Sequence, residues 1–217
     1  MSPAASDPQP GPAERLNLGE PSTPRPASSV ILLRRGASHG DRELEVLLLK
    51  RSAEACFMPG VWVFPGGAVD PQEGDGEQGH RACAVRELSE EAGIELGDPQ
   101  ELVLFSRWIT PEMVTTRFDA WFFLALAPPH TPPRPDGSET TDAAWHEPQA
   151  ALDASAAGEL PLVFPTIKQL EALLPYSSSE EALESARHRK IEAILPKVIG
   201  TKDDHRVVLP GDPEYPA

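Results

Sequence analysis

The segment that most constrains the fold is residues 80–92, where apolar side chains recur with the 3.6-residue period of an α-helix. Gly93 follows at the position where a glycine ends a helix in the left-handed conformation. Val85, Leu88 and Ala92 share one side of this helix, and that side must be buried against another layer of the protein. The sequence therefore predicts a helix with one side packed on a sheet.

Three glutamates occupy another side of this predicted helix. Glu87, Glu90 and Glu91 stand at positions i, i+3 and i+4, so their carboxylates converge on one patch and repel one another. A solvated acidic face accounts for such a run, and a bound cation is the alternative. The turn Gly66-Gly67 precedes the helix and lets the backbone approach a ligand. Carboxylate oxygens are the ligands that Mg²⁺ and Mn²⁺ prefer, so these features together favour the cation.

The rest of the chain alternates predicted strands and helices. Residues 30–34 and 45–50 flank a glycine-containing turn and predict a β-hairpin, and residues 71–79 predict a loop before the glutamate helix. Further strands are predicted at 61–64, 102–108, 118–126 and 142–146, and further helices at 147–157, after Pro165 and at 180–194. This order predicts an α/β sandwich with a mixed sheet and a helical C-terminal addition.

Composition separates the first 28 residues from the others. Residues 1–28 contain proline, alanine, serine and glycine with almost no large apolar side chain, so they cannot bury enough surface to offset the entropy of ordering. We therefore expect a disordered tail at 1–28 and one domain at 29–217. The chain has neither a secretory signal pattern nor a run of 18 apolar residues, so we expect a soluble cytoplasmic protein with no membrane partner.

Charge and cysteine content limit the possible partners further. The formal net charge of -15 argues against nucleic-acid binding, because that function normally draws on a basic face. Cys56 and Cys83 are too few for a disulfide framework or a zinc site, and we expect them to be small packing residues. An acidic enzyme that acts on phosphates needs metal ions to offset the repulsion between its carboxylates and the substrate.

Residues 64–73, FPGGAVDPQE, and residues 86–94, RELSEEAGI, resemble the Nudix box. The family pattern is G-x5-E-x7-R-E-U-x-E-E-x-G-U, where U is apolar, and residues 86–94 match its second part throughout. Twelve residues instead of seven separate Glu73 from Arg86, so the loop carries a five-residue insertion, which costs little entropy at a surface. In similar proteins the glutamate at the position of Glu73 supports the arginine; here Glu73 could do so, or Glu77, or neither.

A second resemblance extends from about residue 30 to the C-terminus. Residues 47–52, LLLKRS, with Gly60 and the FPGG run, are similar to the element L-L-T-x-R-S-x3-R-x3-G-x3-F-P-G-G of coenzyme A diphosphatases in the Nudix family. Leu49 replaces its threonine, and Cys56 replaces its second arginine. The stretches SRWITPEMVTTRFDAWFF, FPTIKQLEAL and LPGDPEYP look like the acyl-CoA diphosphatase branch, whose box has an insertion.

The resemblance implies a Nudix-type α/β/α sandwich and a site that binds Mg²⁺ or Mn²⁺. Carried over by position, the metal ligands are Glu87, Glu90, Glu91 and the carbonyl of Gly66. Arg86 would orient one of these carboxylates from behind, although an exposed helix cation is the plainer interpretation. Bound metal would polarise the diphosphate oxygens and lower the pKa of a water molecule, so that hydroxide attack on phosphorus releases two monophosphates.

Further residues have predicted roles in the reaction or in substrate binding. Glu139 resembles a distal glutamate that serves similar enzymes as a metal ligand or general base, whereas most loop glutamates are only solvated. Glu87, Glu90 and Glu139 are all candidates for the group that takes the proton from water. Arg51 and Arg117 are candidates for holding substrate phosphates, although surface arginines are more often solvated.

Three functions are compatible with these residues. The first is hydrolysis of coenzyme A or acyl-CoA to 3′,5′-ADP and phosphopantetheine or its acyl form. The second is an ADP-ribose or NADH-type dinucleotide diphosphatase, and the third is a nucleotide-sensing module that binds without cutting. Intact Glu87, Glu90 and Glu91 argue against the third function. We expect a small-molecule nucleotide substrate, and a homodimer is a candidate assembly.

Overall fold

A mixed eight-stranded sheet forms the centre of the computed structural model, which describes residues 19–36, 43–55, 58–201 and 204–216. Along the chain the elements are β1 (Arg25–Arg35), β2 (Leu44–Arg51), β3 (Trp62–Val63), β4 (Gly66–Ala68), α1 (Gly76–Ala92), β5 (Val103–Ile109), β6 (Phe118–Leu126), β7 (Thr140–His146), α2 (Pro148–Ala156), α3 (Phe164–Leu173), α4 (Ser179–Arg187), β8 (Ala193–Ile194), β9 (Lys197–Thr201) and β10 (Asp204–Val208). Short 3-10 turns at Pro71–Glu73 and Pro99–Glu101 precede α1 and β5.

The strand order of the sheet is β3-β2-β1-β6-β5-β8, with β4 also paired to β1 and β7 to β2. β1 and β2 run antiparallel with Leu33 opposite Val46, which confirms the predicted hairpin, although residues 37–42 of its turn lie outside the described residues. β1 and β6 run parallel over nine residue pairs. The sheet therefore mixes both directions, as the sequence predicts.

Both faces of the central strands are buried. Val30 and Leu32 of β1 pack in a cluster with the apolar side of α1, whereas Ile31 and Leu33 pack in a second cluster with α2, α3 and α4. Because successive strand residues point to opposite faces, a strand with helices on both sides needs an unbroken apolar run. The result is the predicted α/β/α sandwich, with Leu88 of α1 fully buried against the sheet.

The N-terminal boundary of the sheet differs from the prediction. β1 begins at Arg25, so residues 25–28, which composition assigned to the tail, pair with β6, and Ala27 and Ser28 also pair with β4. The small side chains of this stretch allow β4 to approach closely, and low apolar content therefore does not signify disorder here. The prediction for residues 1–18 lies outside the described residues.

Two other boundaries are corrected, and one hairpin is added. α1 begins at Gly76 and so includes residues 76–79, which were predicted as loop. Glycines have low helix propensity, so the sequence showed no helical signal there, but the ion pair between Glu77 and Arg81 at i, i+4 stabilises this first turn. α4 ends at Arg187 because residues 193–194 pair with β5 instead of extending the helix. The hairpin of β9 and β10 was not predicted. Within the described ranges, none of the helices is long and apolar enough to cross a membrane.

Candidate active site

The floor of the site is the glycine strand β4. Gly67 lies opposite Ser28 of β1, and Gly66 lies opposite Ser29. A Cβ atom on Gly66 would collide with the carbonyl oxygen of Ser28, and one on Gly67 would collide with the carboxylate of Glu87. Glycine is therefore required at position 66, where backbone occupies the space, whereas a side chain at position 67 would displace the carboxylate of Glu87.

Glu91 is the carboxylate that this floor holds most firmly. It is 4% exposed, and its Oε2 accepts a hydrogen bond of 2.9 Å from the backbone N–H of Gly66. Burial raises the pKa of Glu91 to about 8, the nearby charge of Glu87 adds to the rise, and the Gly66 N–H opposes it. An ionised Glu91 thus lacks sufficient compensation from protein groups alone.

Arg86 forms hydrogen bonds with three carboxylates of the Nudix-box sequence other than that of Glu91. Its guanidinium donates to Glu73, Glu87 and Glu90, each over 2.8 Å, and to the carbonyl of Ala68 over 3.2 Å. The hydrogen bond to Glu73 is the largest cause of the raised pKa of Arg86. Glu73 therefore meets the arginine in spite of the insertion that separates them in sequence.

The open choice between Glu73 and Glu77 is decided by this geometry. Glu77 forms an ion pair with Arg81 on α1, whereas Glu73 is drawn to Arg86 from the 3-10 turn that precedes the helix. Asp70 begins that turn with a capping box, in which its side chain accepts from Gln72 and its N–H donates to Glu73. The five inserted residues extend α1 backwards and leave Glu73 in contact with Arg86.

Negative charge exceeds positive charge around β4. Burial raises the pKa of Glu87, whose side chain is 12% exposed; Arg86 opposes this rise, and the charges of Glu90 and Glu139 add to it. Hard oxygen donors that crowd together with raised pKa values fit a divalent cation, which would offset the repulsion. Among the described residues, no three carboxylate, histidine or cysteine side chains are already arranged as a metal cage. Glu87 and Glu90 would have to turn from Arg86 toward an ion.

Glu139 and Arg51 lie at the edge of the glutamate face, which is the side of α1 that carries Glu87, Glu90 and Glu91. After burial, the Gly66 hydrogen bond and Glu87, the smaller influences on the pKa of Glu91 are Arg51, which lowers it, and Glu139, which raises it. Glu139 is exposed, and its backbone carbonyl accepts a 2.8 Å hydrogen bond from the N–H of Ser52, the residue after Arg51. The structure thus brings both predicted residues toward Glu91.

Arg117 has different surroundings. It is 7% exposed, and its guanidinium donates to the carbonyl of Thr110 over 3.0 Å and to that of Ser22 over 2.7 Å. These bonds join the segment before β1 to the connection between β5 and β6. They account for the buried position of the guanidinium without a bound phosphate, so this geometry gives the predicted substrate-binding role of Arg117 no support.

Several residues beside the site were not singled out from the sequence. His80 of α1 packs beneath β4, with Nδ1 2.8 Å from Ser28 Oγ and its ring stacked on Trp121. Burial lowers the pKa of His80, so the ring supports the floor in its neutral form.

Asp136 and the fully buried Thr140 organise the loop of Glu139, and the Asp-Gly-Ser turn signature was the available signal for them.

Of the two cysteines, Cys83 is free and buried, as expected, and Cys56 lies outside the described residues.

Known proteins are similar to this chain in sequence and in fold. The NUDIX domain family model matches residues 23–166. Acyl-coenzyme A diphosphatase NUDT19 of Gallus gallus is 25% identical over 88% of this chain and 80% of its own. The crystal structure of a NUDIX hydrolase from Alicyclobacillus acidocaldarius matches with a TM-score of 0.67 and 27% identity, covering 75% of this chain and 96% of that one. The NUDIX domain of Shewanella oneidensis NrtR, solved with ADP ribose, matches at 0.52 and 16% identity over 71% and 88% of the two chains, which shows the shared fold alone.

Proposed function

Because the chain belongs to the Nudix hydrolase family, we propose that it uses Mg²⁺ or Mn²⁺ to hydrolyse the diphosphate bond of coenzyme A or an acyl-CoA. The observation that carries the proposal is the excess of buried carboxylate around Gly66 and Gly67, where burial raises the pKa of both Glu87 and Glu91. The similarity to an acyl-coenzyme A diphosphatase over most of the chain supports the substrate class.

The proposed metal ligands are Glu87, Glu90, Glu91 and the carbonyl of Gly66. When bound, the metal supplies Lewis-acid polarisation of the diphosphate oxygens and a water of lowered pKa. The Gly66 N–H holds Glu91 in place, and Arg86 holds Glu87 and Glu90 on the same side of α1. Glu91 is therefore positioned before a metal binds, whereas Glu87 and Glu90 would turn from Arg86 toward the ion.

The substrate would be held and attacked at the rim of the glutamate face. Arg51 is placed to meet a phosphate next to Glu91, and Glu139 is a candidate to accept the proton of the attacking water, as Glu87 and Glu90 are. Water adds to one phosphorus, and the bridging P–O bond breaks. The products are 3′,5′-ADP and phosphopantetheine, or acyl-phosphopantetheine when the thiol is acylated.

A substrate panel tests the proposal. The purified protein is incubated with Mg²⁺ or Mn²⁺ and with coenzyme A, acyl-CoA esters of several chain lengths, ADP-ribose or NADH, and the products are identified by mass spectrometry. We expect metal-dependent release of 3′,5′-ADP from a coenzyme A species as the fastest reaction. Faster cleavage of ADP-ribose or NADH would overturn the substrate class, and nucleotide binding without cleavage of any diphosphate would point to a sensing module.

The cytoplasmic location, the homodimer and a disordered tail that ends before β1 are further proposals that rest on sequence. Size-exclusion chromatography with light scattering tests the homodimer. Limited proteolysis tests the tail, and we expect cleavage before Arg25, where β1 begins, rather than within the sheet.

A further inference from the structure

The C-terminal end of the glutamate helix is completed by a distant part of the chain. The last carbonyls of an α-helix have no partner within the helix. In α1 the N–H of Arg134 donates to the carbonyl of Ala92 over 2.7 Å, and the hydroxyl of Thr140 lies 2.8 Å from the carbonyl of Glu91. The segment that carries Glu139 is therefore attached directly to the end of α1 that carries Glu91.

Asp136 gives this segment its shape. One oxygen of its carboxylate accepts from the N–H of Ser138 over 3.0 Å and from that of Glu139 over 2.9 Å. The other accepts from the N–H of Thr140 over 2.7 Å and lies 2.8 Å from its hydroxyl. Charge-assisted hydrogen bonds of this kind are stronger than neutral ones. One exposed side chain thus fixes the backbone of Glu139 and of the residues on both sides of it.

The loop is also fixed to the sheet. The carbonyl of Glu139 accepts from the N–H of Ser52 at the end of β2, and Gly137, with φ of 82°, closes the turn by donating to the carbonyl of Thr140. The fully buried Thr140 can donate its single hydroxyl proton either to Glu91 or to Asp136. Contacts on both flanks of Glu139 therefore limit its backbone to one position between β2 and α1.

We propose that Asp136 is a positioning residue, which holds Glu139 beside Glu91 by ordering residues 137–140 and their attachment to α1. This inference rests on the proposed function, since it requires Glu139 to serve the diphosphatase reaction as a metal ligand or base. Asp136 itself need not touch the substrate. Its effect is exerted through Glu139, because displacement of a reacting group by about 1 Å can cost about 10²-fold in rate.

A double-mutant cycle in the full-length protein tests the proposal. We expect Asp136→Ala to lower kcat by about 10- to 100-fold at saturating Mn²⁺ while KM changes by less than about threefold. Asp136→Asn keeps one acceptor oxygen but turns an NH2 group toward backbone N–H donors, so it should recover only part of that loss. Glu139→Gln should also lower kcat, and the double variant should be no slower than Glu139→Gln alone, because the two residues act as one unit.

Asp98→Ala is the matched control. Asp98 accepts a 2.8 Å hydrogen bond from the N–H of Gln100 and begins the turn before β5 in the way that Asp136 begins its own loop. Its loss should leave kcat within about twofold. Circular dichroism and thermal unfolding show whether each variant is folded, and hydrogen exchange of the Glu139 and Thr140 amides reports loop order without catalysis. Exchange should accelerate most in Asp136→Ala and less in Asp136→Asn, which keeps an acceptor for one of the two amides.

The outcomes separate this proposal from the proposed function. If Asp136→Ala or Glu139→Gln retains full kcat while Glu91→Gln is inactive, the positioning role is overturned and the diphosphatase stands. Additive losses in the double variant would also overturn it. If the wild-type protein cleaves no diphosphate with either metal, the proposed function fails; unchanged amide exchange in Asp136→Ala would then overturn the ordering role too.

Discussion

Helix α1 carries two arginines that bind glutamate, and they occupy contrasting environments. Arg81 pairs with one carboxylate, that of Glu77, and also donates to the backbone carbonyls of Pro99 and Leu102. Arg86 contacts three carboxylates, those of Glu73, Glu87 and Glu90. The first arginine is balanced by its partners, whereas the second serves a group of carboxylates that it cannot neutralise.

The difference teaches how a structural ion pair is distinguished from a reactive site. A balanced pair such as Glu77–Arg81 holds two segments together and is complete without another molecule. Around Arg86, the carboxylates of Glu73, Glu87 and Glu90 share one guanidinium, and burial raises the pKa of neighbouring Glu91 to about 8. Unbalanced, desolvated charge is retained when a ligand supplies the missing charge.

The largest effect is expected from Glu91→Gln. The amide keeps the shape of the side chain and an acceptor for the Gly66 N–H, but it cannot give a negative ligand to the metal. We expect kcat/KM for the best diphosphate to fall by about 10²- to 10³-fold. Steady-state kinetics with Mn²⁺ measures the loss, and Glu77→Gln on the same helix is the matched control.

Equal activity of the two variants would contradict the contrast between the arginines. If Glu77→Gln instead lost more activity than Glu91→Gln, the reacting groups would lie at the N-terminal end of α1 and not at the C-terminal end that carries Glu91. Both variants should show the wild-type circular dichroism spectrum, because neither substitution changes side-chain volume by much.

Glu73→Gln comes second in expected size. It replaces the carboxylate whose hydrogen bond is the largest cause of the raised pKa of Arg86, so Arg86 should hold Glu87 and Glu90 less well. Removing a group that hydrogen-bonds and orients metal ligands typically lowers metal affinity or activity by about 10- to 100-fold. Mn²⁺ titration by isothermal calorimetry measures the affinity. An effect from Glu77→Gln but not from Glu73→Gln would reverse the assignment that the structure supports.

Much of this contrast could be predicted from the sequence, and the rest depended on tertiary structure. The spacing of Glu87, Glu90 and Glu91 is local, so helical periodicity alone placed them on one side of α1. The choice between Glu73 and Glu77 required the path of the inserted loop, which local propensity does not determine. The same holds for Arg117, whose partners Ser22 and Thr110 are brought together by the sheet. Residues 25–28 were missed because strand pairing, and not apolar content, orders them.

A pH dependence is the third expected effect. The folded-state pKa of Glu91 lies near 8, above the ordinary value of about 4.3 for a glutamate. Protons therefore compete with the metal below pH 8, and apparent Mn²⁺ affinity should rise by about tenfold per pH unit for each proton displaced, levelling near pH 8. Calorimetry at pH 6, 7 and 8 measures this slope, and Glu91→Gln should lower it.

The free energy of unfolding of the metal-free protein should change with pH in the direction opposite to the Mn²⁺ affinity, and so should fall as pH rises. Between the ordinary pKa and about 8, folded Glu91 binds more protons than the unfolded chain does. Its contribution is thus fully present below the ordinary pKa and is lost as pH rises through 8. Urea unfolding with a chelator should therefore show a smaller decline with pH in Glu91→Gln than in the wild type. A wild-type stability that rises over this range and is unaffected by the variant would refute the assigned shift.

Arg81→Ala should have the smallest effect on activity. Its side chain is 13% exposed, and its removal leaves the carbonyls of Pro99 and Leu102 without that donor. The carbonyl of Pro99 keeps the N–H of Leu102 as a donor, so the main loss falls on the carbonyl of Leu102. Removing the partner of one buried carbonyl costs about 1–3 kcal/mol, so the free energy of unfolding should fall by about that amount while kcat/KM stays within about twofold. Urea unfolding and steady-state kinetics on the same preparation separate the two quantities. A tenfold loss of kcat/KM in the folded variant would show that both arginines serve the reaction, and the distinction between a balanced pair and an unbalanced site would then fail for this helix.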